Sequence, residues 1–242
     1  RTSHAATLLE NTGKVMVTGG FDANGNLLSS VEIYDPATGA WTTTAPMSCA
    51  RKNHTADNGG PYVGGVIVTG GYSSCSNGQP DRSIELYDPA NAQWHFGPTM
   101  HANRAFHTAS AVNGVLPGLL IVGGGSQITE VCSFGLPYQC VTTPGQPAVS
   151  RFWHAVVQFS SYAVLAIGGA DSPTTEIYDP PSGTWRDAGA LNIARSRHTA
   201  TLLPNGQVYV AEGLTPTNDG LSFVSNAELY YPGDIVFADG FE

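Results

Sequence analysis

Charge is scarce in this sequence. Asp, Glu, Lys and Arg make up 12% of its 242 residues, against a usual share near ~25%. Only two lysines occur, Lys14 and Lys52. The balance is acidic, at -9, and no Lys/Arg cluster interrupts it. Nucleic acid is therefore not an expected partner, because binding it needs a basic footprint that displaces counterions. Ser, Thr, Asn and Gly must cover the surface instead, a composition that suits an extracellular or periplasmic protein. Long apolar runs are also missing; none approaches the roughly 20 residues that a membrane-crossing helix needs. No nucleophile elbow occurs, no carboxylate pair can be assigned, and no cysteine spacing is a zinc signature. Neither catalysis nor a metal or other cofactor is expected.

Glycine is plentiful and ordered. Arg-x-x-His occurs five times, at Arg1/His4, Arg51/His54, Arg104/His107, Arg151/His154 and Arg195/His198, and a glycine doublet follows each histidine after 14 to 16 residues. The doublets are Gly19-Gly20, Gly70-Gly71, Gly123-Gly124 and Gly168-Gly169, with a degenerate Glu212-Gly213 in the fifth copy. Glu-x-Tyr-Asp-Pro comes next at Glu32 to Pro36, Glu85 to Pro89 and Glu176 to Pro180, with weaker forms at Glu130 and Glu228. Trp41, Trp94 and Trp185 each stand seven residues beyond the tyrosine. A repeat of 44 to 53 residues implies stacked supersecondary units.

Each copy reads as four strands. Ala5 to Leu9 and Lys14 to Thr18 are short β-rich runs joined through Asn11-Thr12-Gly13, and the fifth copy repeats this around Asn205-Gly206. A tight hairpin needs the positive φ that such residues tolerate. The doublet removes side chains where backbones crowd. Glu32-Ile33-Tyr34 supplies a third strand, stopped by Asp35-Pro36. Trp41 opens an outer strand, where its ring is expected to fill the wedge between neighbouring units. Radial repetition of four-stranded units gives an all-β propeller.

The doublet, the Tyr-Asp-Pro corner and the spaced tryptophan resemble kelch repeats over nearly the whole chain. The resemblance implies a β-propeller of about five four-stranded blades, near 1–50, 51–103, 104–150, 151–194 and 195–242, in a single domain and possible as part of a six- or seven-bladed ring. It also implies a pocket over the axis, lined between each blade-opening arginine and the inner strand: Thr2-Ser3, Lys52-Asn53, Ala105-Phe106, Phe152-Trp153 and Ser196-Arg197, with Phe21 and Tyr72 after the doublets. These residues vary from blade to blade while the frame repeats, as a binding face on a rigid scaffold does. The expectation is a secreted, monomeric binding or scaffolding module that takes a glycan or a protein ligand on Phe21, Lys52, Asn53, Tyr72, Phe106, Phe152, Trp153, Ser196 and Arg197. The alternative is the propeller of a galactose-oxidase-like copper oxidase or another carbohydrate-active enzyme; the Tyr-Asp-Pro corners account for most tyrosines, and no copper constellation is legible.

Four cysteines form two plausible pairs, Cys132 with Cys140 in the divergent third copy and Cys49 with Cys75 between neighbouring loops; free buried thiols are the alternative. The five histidines could ring the axis as metal ligands, but their tie to the repeat favours a structural role, bonding backbone groups at each blade start. His95 and His101 read as surface residues. Asp22-Ala23-Asn24-Gly25-Asn26 resembles the start of a calcium loop but lacks the later glutamate, and a bare turn is expected. Asn53-His54-Thr55 fits the glycosylation pattern at the start of an inner strand and is discounted. The ending Gly233 to Glu242 supplies either an outer strand over Ile235 to Phe237 or a sorting tag.

Overall fold

A computed structural model describes residues 1–59, 64–114, 116–135, 138–159, 163–217 and 220–231. The fold is all-β, as the repeat predicts; its single described helical turn is a 3₁₀ segment at Ser74–Ser76. Blade 1 is the antiparallel sheet Ala5–Leu9, Lys14–Thr18, Val31–Asp35 and Ala40–Thr44, in that order from axis to rim. Blade 2 runs Thr55–Asn58, Val66–Thr69, Ile84–Asp88 and Gln93–Phe96; blade 3 runs His107–Val112, Gly118–Gly123, Glu130–Ser133 and Gln139–Thr142. Blade 4 is Ala155–Gln158, Val164–Ile167, Thr174–Asp179 and Thr184–Ala190. Blade 5 has three described strands, Thr199–Leu202, Val208–Ala211 and Ala227–Tyr230, and a hairpin of Leu214–Thr217 with Gly220–Phe223 inserted before the third. Ile235 to Phe237 and the tag reading lie outside the described residues.

Burial follows position in the blade. The second strands of blades 2 and 4, Val-Ile-Val-Thr and Val-Leu-Ala-Ile, are buried at every residue, because a neighbouring blade covers each face. That is why these strands read as unbroken apolar runs rather than alternating ones. One apolar cluster fills each junction between consecutive blades: Met16 and Val31 with Val68 and Tyr87, Ile67 and Ile84 with Ile121, Val122 with Val164 and Tyr178, and Leu165 and Ile177 with Val208. No such cluster joins blade 5 to blade 1 among the described residues.

The wedge role of tryptophan depends on having a neighbour. Trp94 donates its indole N–H to the Ala45 carbonyl of blade 1 at 2.9 Å, and Trp185 packs into the junction of blades 3 and 4. Trp41 has no described blade before it and is 55% exposed, so the expected wedge is not formed there. Blade 3 lacks both the corner and the tryptophan, and a disulfide stands in. Cys132 and Cys140 are directly paired residues of its two outer strands and are bonded to each other. Cys49 and Cys75 form the second disulfide.

One buried ion pair repeats through every blade. The arginine of each Arg-x-x-His reaches the glutamate of the third strand: Arg51–Glu85 at 2.7 Å, Arg104–Glu130 at 2.7 Å, Arg151–Glu176 at 2.8 Å and Arg195–Glu228 at 2.5 Å, with a half-exposed Arg1–Glu32 at 2.8 Å. Nη1 of each arginine donates to the carbonyl at the first doublet position, from Gly19 to Glu212. The glutamate also takes backbone N–H groups from the chain that enters from the preceding blade: Ser48 and Cys49 on Glu85, His101 on Glu130, Ala148 on Glu176. His101 is the surface residue that the sequence suggests, and its half-exposed ring also contacts Glu130 at 3.0 Å.

Removing one partner leaves the other charged and dry, so Arg151→Ala is expected to cost about 3–5 kcal/mol, read as a lower urea midpoint. Trp185→Ala should cost about 3 kcal/mol, whereas Trp41→Ala should stay within about 1 kcal/mol. Equal losses for the two tryptophans would remove the wedge assignment.

Candidate binding face at the propeller mouth

The third residue of every Arg-x-x-His loop adopts a left-handed backbone: Ser3 at φ 52°, Asn53 at 53°, Phe106 at 60°, Trp153 at 54° and Arg197 at 56°. For bulky residues this conformation is strained, at about 1–3 kcal/mol each. What holds it is a chain of backbone hydrogen bonds passing from blade to blade. The N–H of Asn53 donates to the Ser3 carbonyl at 3.0 Å, Phe106 to Asn53 at 3.1 Å, Trp153 to Phe106 at 3.2 Å and Arg197 to Trp153 at 2.8 Å. The loops are thus laced together at one end of the blade array. Their side chains share one surface.

That surface is aromatic, with a cation at each end. The Phe106 ring lies 4.7 Å from Trp153 and 5.7 Å from Tyr72, and Phe152 lies 5.1 Å from Trp153. The Arg197 guanidinium stacks 3.9 Å over Trp153, and the Lys52 ammonium sits 4.8 Å over Phe21 and 6.0 Å from Tyr72. The candidate residues Phe21, Lys52, Tyr72, Phe106, Phe152, Trp153 and Arg197 are therefore neighbours. Asn53 contributes to the backbone chain. Ser196 is only 2% exposed and pairs with Leu214, so it supports the loop from beneath. Of the ten Lys and Arg residues, the five repeated arginines and Lys14 have carboxylate partners. Lys52 and Arg197 have none among the described residues.

The repeated histidines lie beneath the mouth. Nε2 of His54 meets the Thr18 hydroxyl at 2.8 Å, His107 meets Thr69 at 2.7 Å and His154 meets Thr108 at 2.9 Å. The role is structural; for these three the partner is a threonine side chain rather than the expected backbone group, while His198 lies against backbone groups of Ile167 and Arg195. His198 faces a junction where Ile167 replaces the threonine. Among the described residues, one group of three metal-type side chains has its ligand atoms within 4.8 Å: Glu130, Cys132 and Cys140. Glu130 is held by Arg104 and the cysteines by each other, so this set does not fit copper. Asp22 accepts N–H groups from Asn24 and Asn26, the turn expected of it.

With this geometry in hand, the chain can be compared with known proteins. The Kelch motif family matches residues 4–48 and 64–101. Alpha-scruin of Limulus polyphemus is 24% identical over 239 residues, covering 90% of this chain and 25% of that protein. Beta-scruin of the same animal is 30% identical over 132 residues, covering 54% of this chain and 14% of its own length. Kelch-like protein 23 of Homo sapiens is 26% identical over 228 residues, covering 90% and 38%. These matches support a kelch-repeat chain. It spans well under half the length of these curated relatives.

Burial sets how the histidines respond to acid. It lowers His54 and His154 to about 3, His198 to about 4 and His107 well below its ordinary value, with the neighbouring arginines adding to each shift. The unfolded chain takes up these protons near pH ~6.5 and the folded one does not, so stability is full above that pH and falls as pH drops towards the folded values. Each histidine contributes a slope of up to about 1.4 kcal/mol per pH unit. Asp57 opposes them, since burial raises it to about 7 and its contribution is lost as pH rises through that value. Four histidines outweigh one aspartate, so the urea midpoint should fall steeply between pH 6 and pH 4.5. A flat profile would contradict neutral buried imidazoles.

Proposed function

We propose that this chain is a secreted, non-catalytic binding module whose mouth captures a protein segment bearing acidic and apolar side chains. The observation that carries this reading is the continuous run Tyr72–Phe106–Trp153, with Arg197 stacked on Trp153 at one end and Lys52 over Phe21 beside Tyr72 at the other, neither cation paired with a carboxylate among the described residues. Aromatic faces supply large contact area at low conformational cost. Lys52 and Arg197 are already placed over rings, so a carboxylate meets a fixed cation rather than a mobile one. The two disulfides, Cys49–Cys75 and Cys132–Cys140, favour an oxidising compartment.

Screening acidic peptides and glycans in parallel, followed by titration of variants against the hits, tests the reading. Trp153→Ala and Arg197→Ala should each weaken peptide binding by about tenfold or more, the scale of a removed hot spot, with thermal melting little changed and Trp153→Phe restoring part of the loss. Hits confined to glycans would replace the protein ligand with a sugar. Normal peptide binding by both folded variants would move recognition away from the mouth.

A further inference from the structure

The two glycines of each doublet answer to different constraints. A Cβ at the second position would strike the blade's own loop; at Gly213 it would lie 2.6 Å from the Ser196 carbonyl oxygen. A Cβ at the first position would strike the next blade; at Gly70 it would lie 2.8 Å from the Arg104 carbonyl oxygen and 2.8 Å from the His107 ring, and at Gly168 2.7 Å from the Arg195 carbonyl oxygen. Blade 5 keeps the second glycine and replaces the first with Glu212. Among the described residues no blade lies against that position, and the backbone demand is what they show there. Glu212 still holds φ 61°, a conformation that an ordinary side chain adopts only at a cost.

The Glu212 carbonyl accepts Nη1 of Arg195 at 3.0 Å, but its carboxylate has no hydrogen-bond or ion-pair partner among the described residues. Glu212 lines a cleft of about 570 Å³ together with Arg197, Leu214, Phe223 and Val224. Arg197 is the cation stacked on Trp153. The cleft therefore holds a carboxylate and a guanidinium that do not pair with each other, beside a phenylalanine that is 88% exposed. Unpaired opposite charges over an apolar floor are complementary to a ligand that carries both charges on an apolar body.

We infer that this cleft extends the mouth and binds a peptide segment with a basic and an acidic side chain flanking an apolar one, the basic group on Glu212, the acidic group on Arg197 and the apolar group against Leu214 and Phe223. The inference rests on the mouth reading through Arg197, which both regions use.

The test titrates the full chain with acetyl-lysyl-leucyl-aspartyl amide, its glutaminyl and asparaginyl analogues and free leucine. The lysyl-aspartyl peptide should bind most tightly, with about a tenfold loss on neutralising either charge. Glu212→Gly should erase the preference for lysine over glutamine while raising Tm by about 2–4 °C as strain is relieved. A lysine preference that survives Glu212→Gly, or a Tm that falls, overturns the proposal. So does failure of every tripeptide to bind at millimolar concentration, and free leucine binding as well as the peptide would assign the cleft to small zwitterions instead. Should the screened acidic peptides ignore Trp153→Ala while Glu212→Gly still erases the lysine preference, the mouth reading fails and the cleft stands; the reverse pattern overturns the cleft alone.

Discussion

A buried guanidinium must find every partner inside the protein, and in blades 2 to 5 the same arginine does so in the same way. Arg51, Arg104, Arg151 and Arg195 are each about 0 to 1% exposed and each bonds the first doublet carbonyl and the third-strand glutamate. The glutamate in turn holds backbone N–H groups of the chain arriving from the previous blade. One side-chain pair thus joins the blade's opening loop, the doublet, the third strand and the incoming connection. A pair of this kind adds little net stability over apolar packing, but its loss is costly. Its consequence is geometric: it fixes where the loop between arginine and histidine sits.

That loop is where repetition and variation meet. The arginine carbonyl accepts the N–H of the preceding blade's second glycine, as in Gly20 to Arg51 at 2.8 Å and Gly71 to Arg104 at 2.8 Å. The histidine fills the space left by the first glycine. Between these fixed ends the third loop residue is held left-handed by its neighbours, whatever its side chain. Serine, asparagine, phenylalanine, tryptophan and arginine all occupy it, so the scaffold tolerates change at the position that faces the mouth.

The frame was legible because it repeats. Arg-x-x-His, the doublet and Glu-x-Tyr-Asp-Pro recur in register, and a repeated element announces its role through its spacing. The Arg–Glu pairing was less so: about thirty residues separate Arg51 from Glu85, and only the sheet order shows that they meet. The partner of the histidines was hidden for the same reason, since Thr18 and Thr69 belong to the preceding blade. Trp41 misled because its role depends on a neighbour that the motif does not encode. The mouth residues were found as a set of variable positions, but Ser196 could not be told from Arg197 without knowing which way each points.

The repeat breaks in two ways. At Ile167 an apolar side chain replaces the hydroxyl that Thr18 and Thr69 offer, and both ring nitrogens of His198 lack a hydrogen-bond partner among the described residues. Glu212 keeps an unfavourable backbone, its carbonyl held by Arg195 and its carboxylate unpartnered among the described residues, while Gly213 beside it remains intact because its own loop demands it. Departures from the frame that carry an uncompensated cost gather at functional surfaces. Of the strained positions, Phe106, Trp153, Arg197 and Glu212 fall at the end of the propeller where the loops are laced together, and this supports the recognition surface proposed there.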